Sequence, residues 1–297
     1  MTGSLAVPGR EVQLQAAAKV NLRLRVLERE PSGYHQLETI FLRIALADVV
    51  RVRALPAGRS LDCGGPALPA SGLGPVEQNL AWRAAAAYAD ASGWPGGFAL
   101  EIEKHIPVGG GLGGGSADAG AVLRALESIA PRPLGEVGLA SLAASLGSDV
   151  RFLTSGMACA IGRGRGERLE PLPAPPTRPL VLVIPPFAVN TAEAYGWVAA
   201  ARAAGELPLH ADAPLDARAL GTWDALARAA ANDFEPLVAA RHPEIATAAR
   251  ALRDAGATVA LMSGSGSTVF GVFEGAAPAA LSLPPEFRIV RTTAPSA

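Results

Sequence analysis

Between residues 107 and 116 the chain reads Pro-Val-Gly-Gly-Gly-Leu-Gly-Gly-Gly-Ser, with six glycines in the seven positions from Gly109 to Gly115. Such a run opens backbone angles closed to other residues and lets amides approach a ligand with no side chain in the way. Its flanks are not those of a flexible linker. Before it, Phe98, Leu100 and Ile102 alternate with Ala99, Glu101 and Glu103, the pattern of a half-buried strand ending at Lys104. After it, Ala119, Val122, Leu123, Leu126 and Ile129 fall on one face of a helix that begins near Ser116. The start of that helix adds orphan N–H groups and a positive dipole end, so strand, glycine loop and helix together read as a phosphate cradle.

Three phosphate-binding patterns compete for this stretch. Gly109-x-Gly111-x-x-Gly114 satisfies the dinucleotide fingerprint. The strand before it, however, carries Glu101 and Glu103 on one face, where a central parallel strand is apolar on both. Gly110-x-x-x-x-Gly115-Ser116 has the spacing of a P-loop but lacks the lysine that reaches the terminal phosphates. The third pattern, a proline-led loop from Pro107 through Ser116 into Ala117-Asp118-Ala119, needs no missing residue.

Upstream, residues 12–27 predict a long strand or bent strand pair: Val20, Leu22, Leu24 and Val26 alternate with Lys19, Asn21, Arg23 and Arg25. Lys19 and Asn21 thus share a polar face. Pro31-Ser32-Gly33-Tyr34-His35 is a turn cluster that leaves an aromatic ring and an imidazole on a loop. Strands return over 38–53, and residues 54–75, rich in Gly, Pro and Ala, read as a surface excursion. Asn79 opens an alanine-rich helix to about Ser92, and a further helix near Leu134–Leu146 ends at Gly147-Ser148-Asp149. Residues 156–172 suggest a hairpin, and Pro171–Pro179, with five prolines, a linker. Beyond it the pattern gives a strand at Leu180–Ile184, a helix at Thr191–Ala204, an irregular stretch over 205–225 and a helix from Pro243 to Ala255. A strand at Val259–Met262 leads through Ser263–Ser267 into another at Thr268–Phe273, and Arg288–Thr292 is the last. Alternating half-exposed strands among helices predict an α+β fold with mostly antiparallel sheets.

A hydrophobic fraction of 49% supports a sizeable core, and a net charge of −1 offers no broad field for nucleic acid or an anionic membrane. A phosphate-rich ligand would have to be held locally. Two cysteines, Cys63 and Cys159, build neither a disulfide framework nor a Cys-based zinc site, which points to a reduced, cytoplasmic chain. No secretory signal and no membrane-spanning apolar run is read. Of 26 basic residues only two, Lys19 and Lys104, are lysines. A chain so biased toward arginine keeps lysine where a compact ammonium cannot be exchanged for a planar guanidinium.

Six segments, in order, resemble the GHMP kinases. Ala18-Lys19-Val20-Asn21-Leu22 is similar to their first motif, Pro107–Ala119 to the second and Leu261–Ser267 to the third. Ser32-Gly33-Tyr34-His35, Gly147-Ser148-Asp149-Val150 and Asn232-Asp233-Phe234-Glu235 resemble signatures of one branch, the diphosphocytidyl-methylerythritol kinases. The resemblance implies two α+β domains, residues 1–172 binding ATP and residues 173–297 closing on the substrate, with the site in the cleft between them. It implies transfer of the γ-phosphoryl group of ATP, with Mg²⁺, to the 2-hydroxyl of a cytidine-diphosphate-linked methylerythritol. The chain would act on this small molecule as a monomer or a homodimer.

By the same resemblance Asp149 is the base that accepts the hydroxyl proton, and Lys19 keeps it ionised and orients the hydroxyl. The amides of Gly109, Gly110, Gly111, Leu112, Gly113, Gly114 and Gly115, with Pro107 and Ser116, would cradle the phosphates. Asn79, Lys104 and Asp118 match positions around the nucleotide, and the metal ligands are left open. Asn21 would bond the substrate; Tyr34 would stack on cytosine, His35 would bond its edge, and Tyr195, with Thr191 a turn earlier, would close the second face. Arg151 stands where proline is common in this branch, which leaves the local path of the chain after Asp149 open.

Overall fold

The computed structural model describes residues 9–29, 35–207 and 215–294. They form two compact units, each built from separated stretches of chain. The first comprises Met1–Ala18, Leu46–Val108 and Gly113–Gly156; the second comprises Lys19–Ala45, Gly109–Leu112 and Met157–Ala297. Two long strands, β1 (Glu11–Arg29) and β2 (His35–Leu55), are divided between the units.

In the first unit the end of β2 pairs antiparallel with β4 (Gly97–Glu103), and β3 (Arg59–Gly64) pairs parallel with β4 on its other edge. The register sets Val50 opposite Ile102, Val52 opposite Leu100 and Ala54 opposite Phe98, so the apolar alternation of both strands falls on one face. All six side chains are buried. Each large one contributes about 1.5–3 kcal/mol relative to exposure. Among its described residues are the α-helices α1 (Leu80–Ser92), α2 (Gly114–Ile129), α3 (Gly135–Leu146) and α4 (Ser148–Thr154). Asn79 caps α1, its side chain accepting from Ala81 N at 2.9 Å, and Gly93 closes it in the left-handed region. Glu127 of α2 ties the next turn of chain: it accepts from Tyr88 Oη at 2.5 Å, Leu134 N at 3.0 Å and Gly135 N at 2.7 Å.

In the second unit the first half of β2 pairs antiparallel with β5 (Cys159–Gly164), which turns back into β6 (Arg168–Pro171). A separate sheet runs β11-β7-β10-β9, from β7 (Arg178–Ile184), β9 (Val259–Met262), β10 (Val269–Val272) and β11 (Arg288–Ala294). All its pairings are antiparallel. Helices α5 (Thr191–Ala203), α7 (Glu235–Ala239) and α8 (Pro243–Asp254) bury Ala194, Val198, Val238, Ile245 and Leu252 in a common core with Val181, Val183 and Val269. A short helix, α6 (Trp223–Ala229), leads into β8 (Ala231–Asn232), which pairs parallel with β1.

The fold class is the α+β architecture that the alternation predicts. Two local expectations are corrected. The stretch read as a surface excursion contains β3, because pairing with β4 supplies the order its glycine-rich composition does not. The stretch read as irregular over 205–225 holds a short 3-10 turn at Ala217–Ala219 and the start of α6, capped by Thr222, whose hydroxyl accepts from Ala225 N at 3.3 Å. On the polar face of β1, Lys19, Asn21 and Arg23 are all buried.

Candidate active site

Three charged or polar residues on a buried face require partners, and β1 and β2 supply them within the second unit. Lys19 Nζ donates to Asn21 Oδ1 at 2.7 Å and to the carbonyl of Gly111 at 3.2 Å. Asn21 Nδ2 donates to Thr39 Oγ1 at 2.8 Å, and Thr39 donates onward to the carbonyl of Arg23 at 2.6 Å. Arg23 Nε pairs with Glu38 Oε1 at 3.1 Å. The polar alternation of β1 is therefore a buried network, and Lys19 and Asn21 meet directly as their shared face requires.

The glycine run is held at its middle by backbone contacts. Lys19 N donates to Leu112 O at 3.0 Å, Thr268 N donates to Gly110 O at 3.2 Å, and Ser263 Oγ donates to Gly111 O at 2.9 Å. Gly109, Gly111 and Gly113 all have φ between 71° and 77°. At Gly111 a side chain is excluded twice: by that φ, and because a Cβ there would lie 2.2 Å from Ser263 O. Gly109 and Gly115 are exposed, Gly110 and Leu112 are buried, and Pro107 and Ser116 are half-buried. In the first unit, Gly113 is the N-cap of α2, a helix of 16 residues, so the run ends on free helical amides.

The segment Asn232–Glu235 explains how the Ser263–Ser267 loop keeps its shape. Asn232 Nδ2 donates to the carbonyls of Met262 at 2.7 Å and Gly264 at 2.8 Å, while its Oδ1 accepts from Phe234 N at 2.9 Å. Asp233 accepts from Val26 N at 2.9 Å and pairs with Arg25 Nη1 at 2.8 Å. Glu235 accepts from Met262 N at 2.7 Å. Burial pushes the Glu235 carboxyl above its ordinary value, against the opposing pull of that amide and of Arg253.

Lys104, the second lysine, is 2% exposed. Its ammonium bonds Asp48 Oδ2 and, at 2.6 Å, Asp118 Oδ2. Asp48 also accepts from His105 N at 2.5 Å and Ile106 N at 2.8 Å. Burial opposes the Lys104 charge, but Asp118 and Asp48 outweigh it and hold its pKa above the ordinary lysine value. Asp118 is pushed up to about 7, by burial against the pull of Lys104 and with the repulsion of Asp48 added. Sequence reasoning passed over Asp48; the signal was a lone carboxylate in the apolar stretch Ile44-Ala45-Leu46-Ala47-Asp48-Val49-Val50.

Asp149 stands in the first turn of α4 and is half-buried; the chain continues past it as helix, Arg151 included, which settles the local path. Val150, Phe152 and Leu153 are buried and anchor that helix. Lys19 belongs to the second unit and Asp149 to the first. Tyr34 lies outside the described residues. His35 stacks on Tyr195 with ring centroids 5.4 Å apart and planes 17° from parallel, and Phe234 meets Tyr195 edge-on at 5.0 Å. Thr191 shares a hydrogen bond of 2.9 Å with Ser265. Asn79 is engaged as a helix cap. Among the described residues no group of three or more His, Cys, Asp or Glu is gathered to hold a metal ion.

Comparison with known proteins agrees along the chain. Residues 79–164 match the GHMP kinases N terminal domain and residues 216–282 the GHMP kinases C terminal domain. A 4-diphosphocytidyl-2-C-methyl-D-erythritol kinase of Pelotomaculum thermopropionicum is 45% identical, covering 86% of this chain and 87% of that protein. The enzyme of the same name from Solibacter usitatus is 42% identical, covering 89% and 82%. A crystal structure of 4-(cytidine 5'-diphospho)-2C-methyl-D-erythritol kinase superposes with a TM-score of 0.75 at 36% identity, over 96% of this chain and 100% of that one. The L. major mevalonate kinase shares the fold, with a TM-score of 0.68 at 17% identity over 99% of this chain and 100% of that one. With both halves of the family pattern present, the chain belongs to the GHMP kinases, in the family of the 4-diphosphocytidyl-2-C-methyl-D-erythritol kinases.

Proposed function

We propose that the chain transfers the γ-phosphoryl group of ATP to the 2-hydroxyl of 4-diphosphocytidyl-2-C-methyl-D-erythritol, a step toward isoprenoid precursors in the cytoplasm. The observation that carries this reading is identity above 40% with relatives of that name over more than four-fifths of both chains. The end of the glycine run supports it: Gly113, left-handed, caps α2, whose first amides are left to receive phosphate oxygens.

Phosphoryl transfer proceeds through a loose transition state in which positioning and charge stabilisation dominate. In this reading the amides of the run from Gly109 to Gly115 and the Ser116 hydroxyl hold the triphosphate, bordered by Pro107, Asn79, Lys104 and Asp118. Asp149 accepts the proton of the attacking hydroxyl. Lys19, fixed on Asn21 and Gly111, contributes positive charge that orients the attacking hydroxyl. Mg²⁺ would supply charge neutralisation on the triphosphate. The Ser116 hydroxyl is the side chain proposed to meet that ion. His35 and Tyr195, already stacked, and Tyr34 are the proposed cytosine contacts, with Asn21 and Thr191 beside the substrate. Steady-state ADP release tests the reading: it should depend on the cytidyl-linked alcohol. Turnover with mevalonate or homoserine and none with the cytidyl substrate would replace this function with another of the same fold.

A further inference from the structure

Asp48 is 0% exposed, has no place in the motifs that identify the family, and divides its two oxygens between two jobs. Oδ1 accepts the backbone amides of His105 and Ile106, the residues that carry the chain from β4 toward the glycine loop. Oδ2 accepts from the ammonium of Lys104, which also reaches Asp118 in α2, the helix that leaves the loop. Lys104 Nζ lies under the start of that helix, 3.6 Å from where a Cβ on Gly114 would stand. One buried carboxylate thus ties the segment entering the nucleotide loop to the segment leaving it, using one ammonium as the link. The outer oxygen of Asp118 is buried with no hydrogen-bond partner, which marks a site where two carboxylates share one cation.

We propose that Asp48 is a positioning residue for ATP: through His105, Ile106 and the Lys104–Asp118 link it fixes the spacing between the two ends of the phosphate loop, with no contact to nucleotide of its own. This rests on the kinase reading above. The groups facing Asp118 are Lys104 from the end of β4, Asp48 from β2 and Cys63 from β3. Burial, with the repulsion of Asp48 added against the pull of Lys104, raises Asp118 to about 7, and its ionisation adds a negative charge beneath the helix start that receives phosphate. Nucleotide affinity therefore falls as pH rises through about 7.

The test is calorimetric binding of the non-hydrolysable analogue adenylyl-imidodiphosphate with Mg²⁺, across pH, alongside acceptor kinetics. Asp48→Asn keeps the shape and an oxygen for the two amides but turns an N–H toward the ammonium. It should weaken the analogue about tenfold, the scale of one lost charge-assisted hydrogen bond, and leave KM for the acceptor within about twofold. The fall in affinity should move to lower pH, since Asp118 then pairs one-to-one with Lys104 and burial alone holds its pKa up. Asp118→Asn, a second isosteric change, should abolish that fall altogether. Wild-type affinity and an unaltered pH profile in Asp48→Asn would overturn the proposal, as would equal weakening of nucleotide and acceptor. Failure of the wild-type chain to bind the analogue would sink the kinase reading itself, and the proposal with it.

Discussion

Replacing Asn232 by alanine removes three hydrogen bonds at once. Its amide nitrogen serves the carbonyls of Met262 and Gly264, its oxygen serves Phe234 N, and the residue is 7% exposed. Each such bond contributes about 0.5–1.5 kcal/mol net, and water cannot readily replace a partner at this depth, so the loss is about 3 kcal/mol. For a chain of 297 residues that corresponds to a fall in Tm of about 5 °C. The variant should also raise KM for ATP, because the freed Ser263–Ser267 loop no longer fixes Gly111. Asn232→Asp should be worse than alanine at neutral pH, since it sets a carboxylate oxygen against two carbonyl oxygens. Scanning calorimetry with parallel ATP titrations decides the matter. A Tm within about 2 °C of wild type for Asn232→Ala would mean that the loop is not anchored there and that the hydrogen-bond argument fails.

Three further outcomes are expected. Asp149→Asn should lower kcat by at least about 10²-fold with little change in ATP affinity, as loss of a general base does; unchanged kcat would remove Asp149 from the chemistry. Tyr34→Ala and Tyr195→Ala should each raise KM for the cytidyl substrate and spare that for ATP, and equal weakening of both would remove the aromatic pair from cytosine recognition. Asp118 is protonated more readily in the folded chain, near 7, than at its ordinary value of 3.8. Its contribution to stability is therefore full at low pH and is lost as pH climbs between those values. Denaturation midpoints for Asp118→Asn should lack that component of the decline, and an identical decline in the variant would refute it.

What could be read directly from the chain was whatever local pattern dictates. The glycine run, the α2 stripe and the alternation in β4 specify their own conformations, and strands β7, β9 and β11 begin within two residues of where the pattern puts them. The segment Asn232–Glu235 could be recognised but not explained, because its three polar side chains act on β1 and on a segment some thirty residues downstream. β3 was hidden for a related reason: Arg59-Ser60-Leu61-Asp62-Cys63-Gly64 has little intrinsic strand preference and is ordered by β4. The buried state of Lys19, Asn21 and Arg23 was equally invisible, since a period-2 pattern says which residues share a face and not what covers it. Asp48 is the sharpest case, a single letter whose role depends on amides and an ammonium more than fifty residues away.

The most direct test of the central claim is phosphorus NMR of the product formed from ATP and the cytidyl-linked methylerythritol. Carbon 2 of the acceptor bears a methyl group and no hydrogen. Transfer to its hydroxyl should therefore give a new phosphomonoester signal with no three-bond splitting by a carbinol proton, beside an intact diphosphate. A doublet or triplet, or no new monoester at all, would contradict it.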